Sequence, residues 1–235
     1  MLFRSMLALP LGGWLTLSVG PRPIFLILAA CCLLGLWMAR GLPTVGHDLH
    51  SSPGRRFKWP DSVALWSFIE GVALDGLFIF GLSIQAQKLL GGDAVLIAGG
   101  LMALRYVSEM LLSPLGGRAA QRFGATSMLL LFSFLSALAL AAFGSYWVIV
   151  GAAAVLVLRA LQLPLVTTLV AERNPGSMRV SALASNAVWR DIGAGLGPLL
   201  AGLLLPVAAA PWVFGLAGAA IAVSAVFCWR AKRSN

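Results

Sequence analysis

Seven ionisable residues of this 235-residue chain stand inside or beside long apolar stretches: Glu70, Asp75, Arg105, Glu109, Arg159, Arg190 and Asp191. A charge in a bilayer is costly unless paired or hydrated, so groups placed this way mark a solute or proton pathway, a gate, or a buried ion pair. Arg105 and Glu109 are four residues apart on one helical face, where they can neutralise each other in a structural or a functional role. Asp75, in ALDGLF, has no partner at helical spacing in its own stretch, which makes it the first candidate for proton coupling or a cation site. Glu70 lies near the start of the same stretch and is expected to be hydrated. Arg159 falls near mid-stretch and must find an acid, a carbonyl or water. It is expected to line a cavity, the alternative being an ion pair with Asp75 or Glu109. Arg190 shares a helical face with Asn186 and Gly197, while Asp191 is turned from it by roughly 100° and lies over Gly195 and Pro198. Both are candidates for a gate or for a salt bridge to another helix.

These assignments depend on the stretches being membrane spans, and the composition requires that they be. The chain is 60% hydrophobic and 11% charged, with a mean hydropathy of +0.92. Soluble domains carry about 25% charged residues, so a water-soluble globule, an acidic disordered tail and a secreted disulfide scaffold are excluded. A backbone in lipid must satisfy its own hydrogen bonds, and about 20 apolar residues cross the hydrocarbon core as a helix. Eight such helices are predicted, over 6–20, 23–39, 62–83, 94–114, 126–143, 146–169, 182–206 and 211–229. Met1 to Gly20 also has features of a signal peptide, but Pro10 and the Gly12–Gly13 pair in its apolar core favour a span.

Basic residues outside the spans fall on alternate connections. Arg4, Arg40, Arg55, Arg56, Lys58, Arg118, Arg122, Arg173, Arg179, Arg230, Lys232 and Arg233 lie on one side, and only Arg22 and Lys88 on the other. Positive residues stay on the cytoplasmic side, so both termini are expected in the cytoplasm of a protein integral to the cell membrane. The net charge of +9 thus records orientation in a lipid bilayer and implies no nucleic-acid partner. The hydrophilic stretch Gly41 to Asp61 reads as a cytoplasmic linker.

Enzyme chemistry finds no support. A second membrane aspartate for a protease would need a GxGD setting, yet Asp191 follows Trp189 and Arg190. Serine hydrolysis in the membrane needs a histidine base, and His47 and His50 are both in the linker. Cys31, Cys32 and Cys228 suit neither a metal site nor a disulfide framework and are expected to face lipid or pack. No nucleotide loop, haem pair or zinc spacing is present, so no cofactor and no metal are expected.

Laying the first two spans on the last two superposes Pro10 on Pro198 and Pro23 on Pro211, with several leucines in register. The repeating unit is then six helices long, as in transporters built from repeats. On this reading residues 62–235 form one six-helix bundle, 41–61 the linker, and 1–40 the last two helices of an incomplete preceding bundle.

Two motifs carry a family resemblance. Gly117 to Gly124, GRAAQRFG, resembles the cytoplasmic loop signature of the major facilitator superfamily, roughly G-x-L-A-D-R-x-G. Gly117, Ala120, Arg122 and Gly124 fit it, Arg118 adds a second cation, and Gln121 replaces the acidic residue. Arg190 to Gly202, RDIGAGLGPLLAG, looks like the superfamily's glycine-proline helix. Gly193, Gly197 and Gly202 would give a face for close helix packing, and Pro198 would permit a kink. Along essentially the whole chain the order of features resembles helices five to twelve of such a transporter. The resemblance implies an all-α, polytopic membrane bundle that moves a small solute by alternating access, with proton coupling through the intramembrane carboxylates as an option. It also implies a separate chain supplying the absent N-terminal helices as a candidate partner. The alternative is a non-transporting membrane scaffold that binds a partner.

Overall fold

The computed structural model of the protein describes residues 21–40, 59–90, 94–176 and 178–233. The chain divides into two units, Met1–Trp59 and Pro60–Asn235. In the first, helix α1 (Pro21–Arg40) opens on a proline, which suits a first helical turn because its missing N–H has no partner there anyway. Its Leu33, Leu36 and Trp37 are exposed, as are Cys31 and Cys32. The span expected over 6–20 and the loop over 41–58 lie outside the described residues.

In the second unit the Asp61 carboxylate accepts a hydrogen bond from the Ala64 N–H at 2.7 Å, capping the first turn of α2. Helix α2 is α-helical over Ser62–Glu70, widens to a π-helix over Gly71–Leu77 and resumes over Phe78–Leu90. Helices α3 (Ala94–Phe123), α4 (Ala125–Phe143), α5 (Val148–Arg173), α6 (Met178–Leu204) and α7 (Ala210–Arg233) follow, and no strand occurs among the described residues. Helix α3 packs on α5, α4 packs between α5 and α7, and α2 lies against α6 and α7. Four described segments are long and apolar enough to cross a membrane: Ser62–Gln85, Ala125–Phe143, Val148–Arg173 and Ala210–Ala231. Helices α3 and α6, at 30 and 27 residues, have the length to cross and carry the charged residues Arg105, Glu109, Arg190 and Asp191 within it.

The bundle has two apolar cores. One joins Leu74, Phe78, Phe143, Leu156, Phe214 and Ile221, with the Phe143 ring edge-on to Phe78 and Phe214 at centroid separations of 4.9 and 4.7 Å. The other joins Val63, Trp66, Leu129, Leu165, Leu169 and Cys228. Along α2, α4 and α5 polar residues are buried between the two cores: Ser67 and Glu70, Ser133 and Ser136, Arg159 and Gln162. A polar layer therefore crosses the bundle between two dry ones, tied by Trp66 Nε1 donating to Ser133 Oγ at 3.1 Å and Gln162 Nε2 donating to Ser136 Oγ at 3.2 Å.

Helix α6 meets α2 along a glycine seam. A Cβ at Gly193 would collide with the Phe68 carbonyl oxygen and one at Gly197 with the Gly76 Cα, while one at Gly71 would strike the Arg190 carbonyl oxygen. Gly202, expected to pack in the same way, has open space around it, and Ala201 is the buried residue of that turn. The helix runs unbroken through Pro198.

The GRAAQRFG segment also departs from expectation. Gly117, Arg118 and Arg122 continue α3, and Gly124 alone makes the turn, at φ 85°. Nothing after Pro114 interrupts the helical hydrogen bonds until that positive φ, which favours glycine. Gly116 rather than Gly117 is the glycine pressed against α5, beside the Leu161 carbonyl and Pro164.

The seam yields a test. Gly197→Val is expected to lower stability by about 1–3 kcal/mol through overpacking, whereas Gly202→Ala stays neutral or gains up to about 1 kcal/mol. Thermal unfolding of both variants in detergent checks this, and an equal effect of the two would refute the seam.

Candidate functional site

Where α2 is α-helical, residues five apart point roughly 140° away from each other. In a π-helix, hydrogen bonds run from residue to residue five along, so such residues stack on one face. The π-helix over Gly71–Leu77 thus brings Glu70 and Asp75 to the same side of α2, facing α5.

There they meet Arg159, whose side chain is only 5% exposed. Its Nη1 donates to Glu109 Oε1 at 3.0 Å, its Nη2 donates to Asp75 Oδ1, and its Nε lies 3.6 Å from Glu70 Oε1. Arg105 on α3 closes the figure: Nη2 donates to Asp75 Oδ1 and Nε to Glu109 Oε1, each at 3.1 Å. Asp75 and Glu109 therefore each accept from both guanidiniums, through charge-assisted bonds of the strong kind. Glu70 has only the longer contact, which is too long for a hydrogen bond and leaves Arg159 Nε without one. Three carboxylates face two guanidiniums, with the Glu70 carboxyl the least firmly held.

A cavity of about 280 Å³ adjoins this cluster between α2, α5 and α6. Glu70 lines it, together with Trp66, Ser67, Gln162, Asn186 and Arg190. Ser67 Oγ donates to Asn186 Oδ1 at 3.0 Å, holding the α6 amide against α2. Arg190 Nη2 donates to Asp191 Oδ1 at 3.2 Å.

The structure thus unites Asp75, Arg105, Glu109 and Arg159 in one cluster and places Asn186 and Arg190 in the neighbouring cavity. It leaves Asp191 apart: its side chain is 68% exposed and its ion pair is with its chain neighbour, not with another helix. Glu70, expected to be hydrated near the end of its span, is instead buried and is the one residue common to cluster and cavity. Regular helical spacing turns Glu70 away from Asp75, so the sequence signal for their meeting was the Gly71 and Gly76 pair that brackets the irregular turn.

The sequence profile of the Major Facilitator Superfamily matches residues 72–234, from the π-helix through α7. The chain belongs to the major facilitator superfamily. Among curated proteins and among solved structures, nothing matches it. As a member of this superfamily with four helices apolar enough to cross a bilayer, it is an integral membrane protein of the transporter kind. The superfamily match includes Asp75, Arg105, Glu109, Arg159, Asn186 and Arg190, and Glu70 stands two residues before it.

The cluster yields a second test. Arg159→Leu strands buried carboxylates and is expected to cost about 3–5 kcal/mol, with Arg159→Lys recovering only part because one ammonium cannot serve three carboxylates as a planar fork does. Denaturant unfolding in detergent measures this, and wild-type stability in Arg159→Leu would show that the cluster does not hold the helices together.

Proposed function

We propose that this chain is a secondary transporter that moves a small solute across the cell membrane by alternating access, coupled to protons through Glu70. The observation that carries the reading is the imbalance of the buried cluster, three carboxylates against two arginines, with Glu70 shared between cluster and cavity. A surplus negative charge in this layer is costly, so a proton on Glu70 favours the closed, water-free arrangement and its release requires access to water. Binding and release of that proton then bias which side the cavity opens to. Asp75, which accepts from two guanidiniums, holds the cluster.

The orientation that supports this reading comes from the basic residues. Arg118 and Arg122 at the end of α3, Arg173 at the end of α5, Arg179 at the start of α6, and Arg230 in α7 would face the cytoplasm, with both termini there. The cavity residues Trp66, Thr167 and Leu183 lie towards those same helix ends, so the solute would enter from the cytoplasmic side. Residues 62–235 would act as one six-helix bundle.

The test is flux in proteoliposomes holding a pH-sensitive dye, challenged with a panel of solutes. Wild-type chain is expected to show solute uptake or efflux driven by a pH gradient. Glu70→Gln loses the response to the gradient while still exchanging solute at raised solute concentration. An undiminished response in that variant overturns the role of Glu70, a response to sodium instead of protons overturns the coupling ion, and no flux with any solute overturns transport in favour of a scaffold.

A further inference from the structure

Two residues lining the cavity between α2, α5 and α6 carry buried polar atoms that the protein itself leaves without partners. Gln162 is 1% exposed and donates Nε2 to Ser136, while its Oε1 is buried with no hydrogen bond. Were the amide turned over, the NH2 end would be the free one, so either way the side chain presents one unmet polar group. Arg190 Nε is likewise buried without a partner, its Nη2 alone being engaged by Asp191. Glu70 completes the set, held only by its contact to Arg159 at 3.6 Å. An unmet buried polar group is costly, and two of them on residues lining one cavity, together with an under-bonded carboxylate, point to a ligand that supplies what is missing.

The charges say what the ligand carries. Arg190 on α6 is a cation with a free donor, suited to a carboxylate, and Glu70 on α2 is an anion, suited to an ammonium. They line the same cavity, and no ion pair joins them; the Arg190 pair is to Asp191 and the Glu70 pair is to Arg159. Trp66, Leu163, Val166 and Leu183 give the same cavity an apolar part of its wall. A volume of about 280 Å³ equals some nine water molecules at about 30 Å³ each, room for a solute of roughly ten non-hydrogen atoms.

We infer that the solute is a small zwitterion with an apolar side chain, of the size of a free aliphatic amino acid, its carboxylate on Arg190 and its ammonium on Glu70. The inference rests on the transport reading above and names the substrate class for that site. It gives Gln162 the task of accepting a further ammonium or amide hydrogen.

Three probes of matched shape test it on the full chain in detergent, by equilibrium binding of labelled compound: leucine, 4-methylpentanoate, which lacks the amine, and isoamylamine, which lacks the acid. Leucine is expected to bind saturably, and each truncated probe at least about tenfold more weakly, the loss of one charged hydrogen bond. Glu70→Gln should abolish the preference for leucine over 4-methylpentanoate, and Arg190→Gln its preference over isoamylamine. Equal binding of leucine and either truncated probe by the wild type overturns the inference, and that comparison stands even if a variant fails to fold. Flux of some other solute in the liposome panel, with no leucine binding, overturns the substrate class and leaves transport intact. Leucine binding with no flux of any solute leaves the site intact and overturns transport.

Discussion

A guanidinium buried inside a bundle of apolar helices must find its counter-charges on neighbouring helices, and the rest of this fold is arranged to let Arg159 do so. Its three nitrogens reach carboxylates on α2 and α3, from a position on α5 where main-chain groups are already used by the helix. Arg159 thereby fixes three helices at one depth, and the layer it occupies extends sideways through Gln162 and Ser136 and through Ser133 and Trp66. Above and below, the two apolar cores close the layer off. Polar interactions in such a layer gain strength from low dielectric surroundings and become costly if any member is left unpaired, so the layer specifies the packing as much as it stabilises it.

On its other side α2 is approached closely by α6. Gly71, Gly76, Gly193 and Gly197 remove the side chains that would separate the two backbones. The same stretch of α2 is the π-helix, which changes the residues per turn just enough to aim Glu70 and Asp75 at one target. Irregular turns of this kind recur at functional positions in helices. Here the turn joins the packing seam on one side of α2 to the charge cluster on the other, so a shift of α6 against the seam would be felt at Glu70.

Glu70 stands where the cluster and the cavity meet. Asp75 and Glu109 are locked by paired guanidiniums, while Glu70 touches the cluster weakly and faces the cavity shared with Asn186 and Arg190. A carboxyl between a fixed charge array and a cavity is placed to sense both, as the proposed coupling of a solute to an ion requires.

The sequence by itself determined the all-helical membrane character, because 60% hydrophobic residues in long runs leave a backbone in lipid no other way to satisfy its hydrogen bonds. It determined the pairing of Arg105 with Glu109, since an offset of four is local and independent of the fold, and the packing role of Gly193 and Gly197, since a small-residue spacing is local too. The tertiary structure alone decided that Glu70 is buried rather than hydrated, that Gly202 packs against nothing, that Asp191 turns outward, and that GRAAQRFG is helix up to a single turning glycine. Each of these depends on what lies opposite, or on a local departure from 3.6 residues per turn. Periodicity reads only a residue's own helix, whereas the burial of a charge is decided by partners on other helices.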